Sequence, residues 1–232
     1  MTAVLVVDDQ ATFLHTLDEN LRQRGYDVQL ATTGGEALVR FEQHPADAVI
    51  LGLNLPDIGG MRVLRRIRAW ITLPIIVLSA QSAQVQKVAA LDAGADDYVS
   101  KPFGIDELMA RLRVVLRSRR HGQDDPTVAT QHFTIDLAAR EVTRGGRTVP
   151  LTRTEWRIVA FLARRPGRLI TQRQLLDEIW GISDVGRSNH LRVFMVSIRR
   201  KLEPDPAHPR YFITEPGIGV RFLPGPKPGL PP

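Results

Sequence analysis

Two adjacent carboxylates, Asp8 and Asp9, close the first apolar run of the chain, while a hydroxyl, Ser79, and an ammonium, Lys101, close two later ones. A carboxylate pair can hold Mg²⁺ through water, and a hydroxyl with an ammonium can bind phosphoryl oxygens. Taken singly, each has a plainer use: a turn, a helix cap or solvated surface. Together at one sheet edge they describe a phosphoryl-handling site. A second set lies near the C-terminus. Leu191, Met195, Ile198 and Leu202 recur at spacings of four, three and four and form the buried face of a helix over 188–202. Its other side carries Arg192, Val196, Arg199 and Arg200, with Asn189 and His190 at the start. In a major groove, Arg can read guanine, Asn can read adenine, and valine can meet a thymine methyl. Double-stranded DNA is the partner this pattern fits.

The elements that must position these groups follow from periodicity. Residues 3–7, 48–51 and 75–78 are continuous apolar runs, the pattern of strands buried on both faces of a parallel sheet; 28–31 and 97–99 are weaker candidates. Between them Phe13, Leu14, Leu17 and Leu21 share a helix face that ends at Gly25, and Thr33 with Glu36 has capping-box spacing. Further helices are expected over 61–70, 83–93 and around Leu108, Leu112, Val115 and Leu116. Five strands alternating with five helices predict a doubly wound α/β domain, in which ligands bind beyond the carboxyl ends of the strands. Asp8, Asp9, Ser79 and Lys101 all fall there.

Charge separates the halves. Residues 1–121 hold 14 Lys and Arg against 14 Asp and Glu, whereas the remainder holds 17 against 11. The excess cation therefore belongs to the second half, where phosphate contacts are expected. With no cysteine, disulfides, thiolate metal sites and cysteine nucleophiles are excluded. The N-terminal run is too short for a membrane span and reads as no signal peptide, so a cytoplasmic location is expected.

The segments Val-Val-Asp-Asp at 6–9, Leu-Pro-Asp at 55–57, Ile-Val-Leu-Ser-Ala at 76–80 and Ala-Gly-Ala-Asp-Asp-Tyr-Val-Ser-Lys-Pro-Phe at 93–103 resemble the receiver domain of OmpR/PhoB-type response regulators. The resemblance implies that Asp8 and Asp9 bind Mg²⁺, that Ser79 and Lys101 contact the phosphoryl group, and that Tyr98 reports occupancy by changing rotamer. It also implies a cis Lys101–Pro102 bond, and pairing of two copies through the fourth helix, fifth strand and fifth helix with Lys87, Asp96, Asp97, Glu107 and Arg111. One position departs from the pattern. Where the family places its phosphate-accepting aspartate, this chain has Gly52. Glycine carries no nucleophile, so no catalytic residue remains there, and neither Asn54 nor Asp57 is placed to substitute. The Mg²⁺ site loses one of three carboxylates and should be weak, and no cofactor is required. An engineered inactivation and a natural receiver that has abandoned phosphorylation both account for Gly52. Gln10, where an acid is usual, favours the second.

Around 120–128 the chain reads as a linker between a receiver domain at 1–119 and a second domain at 129–224; residues 225–232, rich in Pro and Gly, read as a disordered tail. In the second domain, alternation at Phe133, Ile135 and Leu137 and a hairpin at Arg144-Gly145-Gly146-Arg147 predict a small antiparallel sheet. Helices over 152–164, from a Thr171 cap to Trp180, and over 188–202 precede a hairpin over 211–222. With Leu-Thr-Arg-Thr-Glu-Trp at 151–156 and Gly-Ile-Gly-Val-Arg-Phe at 217–222, this α+β order resembles the winged helix of the same family. Residues 205–217 most resemble its branch that governs potassium-transport genes. The resemblance implies wing contacts through Thr214 and Arg221, weakened where Val220 replaces a tyrosine, and implies a sensor histidine kinase and RNA polymerase as further partners. The competing enzyme reading is a Mg²⁺-dependent phosphatase of haloacid-dehalogenase type, which needs Asp-x-Asp where this chain has Asp-Asp. A third class, a winged helix that binds only protein, is at odds with the basic helix.

Overall fold

A computed structural model describes residues 1–80, 84–121, 126–181 and 188–225. The chain divides into two units, Met1–Arg119 and Arg120–Pro232. The first is a parallel sheet of β1 (Thr2–Val7), β2 (Tyr26–Ala31), β3 (Ala48–Gly52), β4 (Ile75–Ser79) and β5 (Asp97–Ser100), in the order β2-β1-β3-β4-β5. Its helices are α1 (Ala11–Gln23), α2 (Gly34–Gln43), α3 (Gly60–Trp70), α4 (Gln84–Asp92) and α5 (Ile105–His121). The valine-rich runs become strands because both sheet faces are covered. Val4, Val6, Ile50 and Leu78 pack with Leu14, Leu17 and Leu21 of α1 and Leu108, Leu112 and Val115 of α5. On the alternate positions Leu5, Val7, Val49, Leu51 and Val77 are fully buried. Burying each such side chain contributes about 1.5–3 kcal/mol.

The order reverses between β1 and β3, which opens a crevice at their carboxyl ends. Asp8 follows β1, and β3 ends on Gly52, one residue later than its apolar run, in register with Leu78. Gly25 closes α1 at φ 81°, a conformation that disfavours any other residue. Thr33 accepts from the Glu36 amide, but the Glu36 carboxylate turns to Thr32 N rather than closing the box on Thr33.

The second unit begins with an antiparallel sheet of β6 (Thr127–Ala129), β7 (Thr134–Asp136), β8 (Glu141–Arg144) and β9 (Arg147–Thr148). Thr127 and Val128 pair with Asp136 and Ile135, so they belong to this sheet and not to the expected linker. Residues 122–125 of that linker and 226–232 of the expected tail lie outside the described residues. Gly145 and Gly146, both at positive φ, turn β8 into β9. Then follow α6 (Arg153–Ala163), β10 (Leu169–Thr171), α7 (Gln172–Trp180), α8 (Ser188–Leu202), β11 (Phe212–Glu215) and β12 (Gly219–Phe222). Capping boxes start α6, at Thr152 and Glu155, and α7, at Thr171 and Gln174. The closing hairpin gains β10 as a third strand, in the order β10-β12-β11. Gly219 is required there, since a Cβ would fall 1.8 Å from Ile170 O. Leu191, Met195, Ile198 and Leu202 enter the core with Ile158, Leu162, Leu175 and Phe222.

Candidate functional site

At the crevice of the first unit, Asp8 is 2% exposed. Its Oδ2 accepts from Lys101 Nζ at 2.7 Å and its Oδ1 from the Gln10 amide at 3.2 Å. Lys101 is held from its other side by Phe13, whose ring centroid lies 4.0 Å from Nζ, within cation–π range. The pair is largely dry, with side chains 3% and 20% exposed. Ser79 is buried, and its carbonyl accepts from the Lys101 amide at 2.8 Å, so β4 and β5 deliver hydroxyl and ammonium to one edge. The Lys101–Pro102 bond is cis. Tyr98 is inward, 1% exposed, with Lys87 Nζ 5.8 Å from its ring centroid.

Gly52 completes the arrangement by what it lacks. A Cβ there would lie 2.8 Å from Asp8 Oδ2 and 3.1 Å from the Val7 carbonyl oxygen. The Asp8 carboxylate thus stands against the space that a side chain at 52 would enter. Asp9 is exposed. A hard divalent cation needs several oxygens around one point, but one Asp8 oxygen is held by an ammonium and position 52 supplies none, so the residues present do not fit a resident Mg²⁺. Among the described residues no cluster of three or more His, Cys, Asp or Glu is placed to hold a metal.

Asp57 is engaged elsewhere. Its two carboxylate oxygens accept from the Gly35 amide at 2.7 Å and the Gly34 amide at 2.8 Å, fastening the loop after β3 to the N-terminus of α2. The Gly35 amide, joined by that of Gly34, keeps the Asp57 carboxyl below its ordinary range.

The five charged residues expected at a pairing face are partnered within the chain. Arg111 donates to Asp97 at 3.0 Å and to Glu107 at 2.9 Å. Burial acts to lower its pKa, and the Asp97 and Glu107 carboxylates more than offset this, so it ends above its ordinary value. Asp96 pairs with Arg68 and accepts from the Ile75 amide at 2.9 Å.

In the second unit α8 exposes Arg192, Val196 and Arg200 on the side away from Leu191 and Ile198. The side chains of Asn189 and His190 lie outside the described residues. Two assignments are corrected. Arg199 is turned inward: Nε and Nη2 donate to Phe212 O at 3.0 and 2.6 Å, and Nη2 also donates to Thr214 Oγ1. Burial holds its pKa below the ordinary value. Arg199 braces α8 against β11 and leaves the exposed Thr214 with its hydroxyl engaged. Arg221 is 6% exposed; it donates to Gly167 O at 2.6 Å and pairs with Glu215 at 2.8 Å, so it stabilises the wing from inside. Val193, 66% exposed, joins this surface although an apolar residue there carries no signal of its own in the sequence. Its position three residues before Val196 and seven before Arg200 places it on the same stripe.

Comparison with known proteins agrees on both units. Residues 4–113 match the response regulator receiver domain and residues 146–222 the C-terminal domain of transcriptional regulatory proteins. The transcriptional regulatory protein KdpE of Mycobacterium tuberculosis (strain ATCC 25618 / H37Rv) is 48% identical over 224 residues, 96% of this chain and 99% of that protein. The KDP operon transcriptional regulatory protein KdpE of Escherichia coli (strain K12) is 48% identical over 226 residues, 96% of this chain and 100% of that protein. Among solved structures, the response regulator DrrB of Thermotoga maritima, an OmpR/PhoB homologue, aligns over 96% of this chain and 99% of its own with TM-score 0.50 and 29% identity.

Proposed function

Because the chain belongs to the OmpR/PhoB-type response regulators and is KdpE-like along its length, we propose that it regulates potassium-transport genes and that phosphate at the end of β3 is not its trigger. The DNA-binding, two-component character comes with the family. What is particular to this chain is the trigger. An acceptor must offer a carboxylate oxygen in line with phosphorus, and the observation that carries the reading is Gly52, beside which the Asp8 carboxylate stands paired with Lys101. Asp57 is no substitute, since both its oxygens cap α2. The protein acts as a cytoplasmic regulator and not as an enzyme, and it works without a resident Mg²⁺.

Two copies pair through α4, β5 and α5 without phosphate, exchanging internal ion pairs of Asp97, Glu107 and Arg111 for equivalent pairs across a two-fold axis; such a set fixes orientation more than it adds affinity. Arg192, Val193, Val196 and Arg200 meet the major groove. The test is to incubate the full chain with acetyl phosphate and Mg²⁺, then measure both labelling and affinity for DNA upstream of potassium-transport genes. No hydroxylamine-sensitive adduct and unchanged affinity are expected. A labelled protein that binds its DNA more tightly would overturn the reading.

A further inference from the structure

The first unit is balanced in charge but not in where the charge lies. From Ile58 to Leu91 the sequence contains no Asp or Glu, but it does contain Arg62, Arg65, Arg66, Arg68 and Lys87. Two of these cations are engaged: Arg68 holds Asp96 and the Gly94 carbonyl, and Lys87 stands over the Tyr98 ring. Arg62, Arg65 and Arg66 are exposed on α3, and their guanidinium groups have no partner among the described residues. Arg62, Arg66 and Trp70 recur at spacings of four and form one stripe. Trp70 is 53% exposed, and Ile71 beyond it 37%. The opposite face, Val63, Leu64 and Ile67, is fully buried and accounts for the packing of the helix.

Helix stability does not explain the outer face. Arg62 sits in the first turn, which has no acidic residue, at the end where the helix dipole favours anions. Arg62 and Arg66 are like charges one turn apart, which is unfavourable. An exposed tryptophan beside them adds solvent-facing apolar area without a packing return.

We propose that this face of α3 docks an acidic segment of another protein, one that sets carboxylates against Arg62, Arg65 and Arg66 and an apolar side chain against Trp70 and Ile71. Arginine and tryptophan are the residues that dominate protein interfaces, an apolar centre within a charged rim. Duplex DNA would satisfy the arginines but leave Trp70 and Ile71 facing a polar backbone. The surface is separate from the pairing face on α4, β5 and α5.

The test rests on the regulator reading for its output. Full-length R62E/R66E and W70A are expressed in the native host with a reporter on the protein's own operator, and their operator affinity is measured in vitro. Affinity within about twofold of wild type, with output reduced by about tenfold or more, is the expected loss for a removed interface anchor. Suppressors of R62E/R66E should then be acid-to-Lys or acid-to-Arg changes in one other protein. Unchanged output overturns the proposal, as does a loss restored only by changes within this chain or by none. Failure of the wild type itself to bind its operator would instead count against the regulator reading.

Discussion

Changing Gly52 to Asp restores a carboxylate in type but not in surroundings. The new Cβ would start 2.8 Å from Asp8 Oδ2 and 3.1 Å from the Val7 carbonyl oxygen. Asp8 must therefore swing from its 2.7 Å contact with Lys101. Two carboxylates about 4 Å apart at an effective dielectric near 20 repel by about 4 kcal/mol. Lys101 remains beside both and offsets part of this, leaving a net loss of about 2 kcal/mol, the scale of an overcrowded buried site. For a unit of this size that lowers the unfolding midpoint by about 10 °C. With three carboxylates at the crevice Mg²⁺ should then bind, and a cation at a hundred times its Kd returns about 2.7 kcal/mol. The assay is thermal unfolding of wild type, G52A and G52D with and without Mg²⁺. Wild type should ignore the cation, G52A should be destabilised without recovery, and G52D should be destabilised and rescued. A wild type that gains as much from Mg²⁺ as G52D, or a G52D as stable as wild type without the cation, would refute the argument that Asp8 has taken over this space.

The inward Arg199 separates two roles that its sequence position merged. R200A should weaken binding to a specific site by about 1–3 kcal/mol if it contacts a base and leave thermal stability nearly unchanged. R199A should instead lower the unfolding midpoint of the second unit, because the buried Phe212 carbonyl loses its donors; a change in base preference with no loss of stability would contradict this. Glu155 gives a pH prediction. Burial pushes its carboxyl up, but Lys201, Ser197 and Thr152 bring it down from 4.5 to about 2. A folded-state value below the unfolded one stabilises above the unfolded value, and that contribution is lost as pH falls from about 5 towards 2. K201M should flatten this acid limb of the stability curve of the second unit, as followed by urea unfolding between pH 2.5 and pH 6; an unchanged limb would show that Lys201 is not what holds Glu155.

Much of this was legible before the chain was folded. Strands buried on both faces leave unbroken valine and isoleucine, helices buried on one face leave a 3.6-residue period, and caps such as Thr152 and Thr171 act within a few residues of themselves. The absent nucleophile at Gly52, the acid-free stretch from 58 to 91 and the basic helix over 188–202 are likewise properties of the chain alone. Only the tertiary structure decided where long polar side chains end. Arg199 lies at the margin of the outer face of α8, and what turns it inward is the Phe212 carbonyl, thirteen residues away. Arg221 stands on a strand buried at every position, so alternation gave no sign of which way it points. Asp57 reaches the α2 amides 22 and 23 residues back, and Lys101 reaches Asp8 across 93. Local spacing encodes backbone and core because those interactions are short in sequence. Arginine, lysine and aspartate partners are chosen by whatever unpaired backbone group or charge the finished fold brings within hydrogen-bond reach.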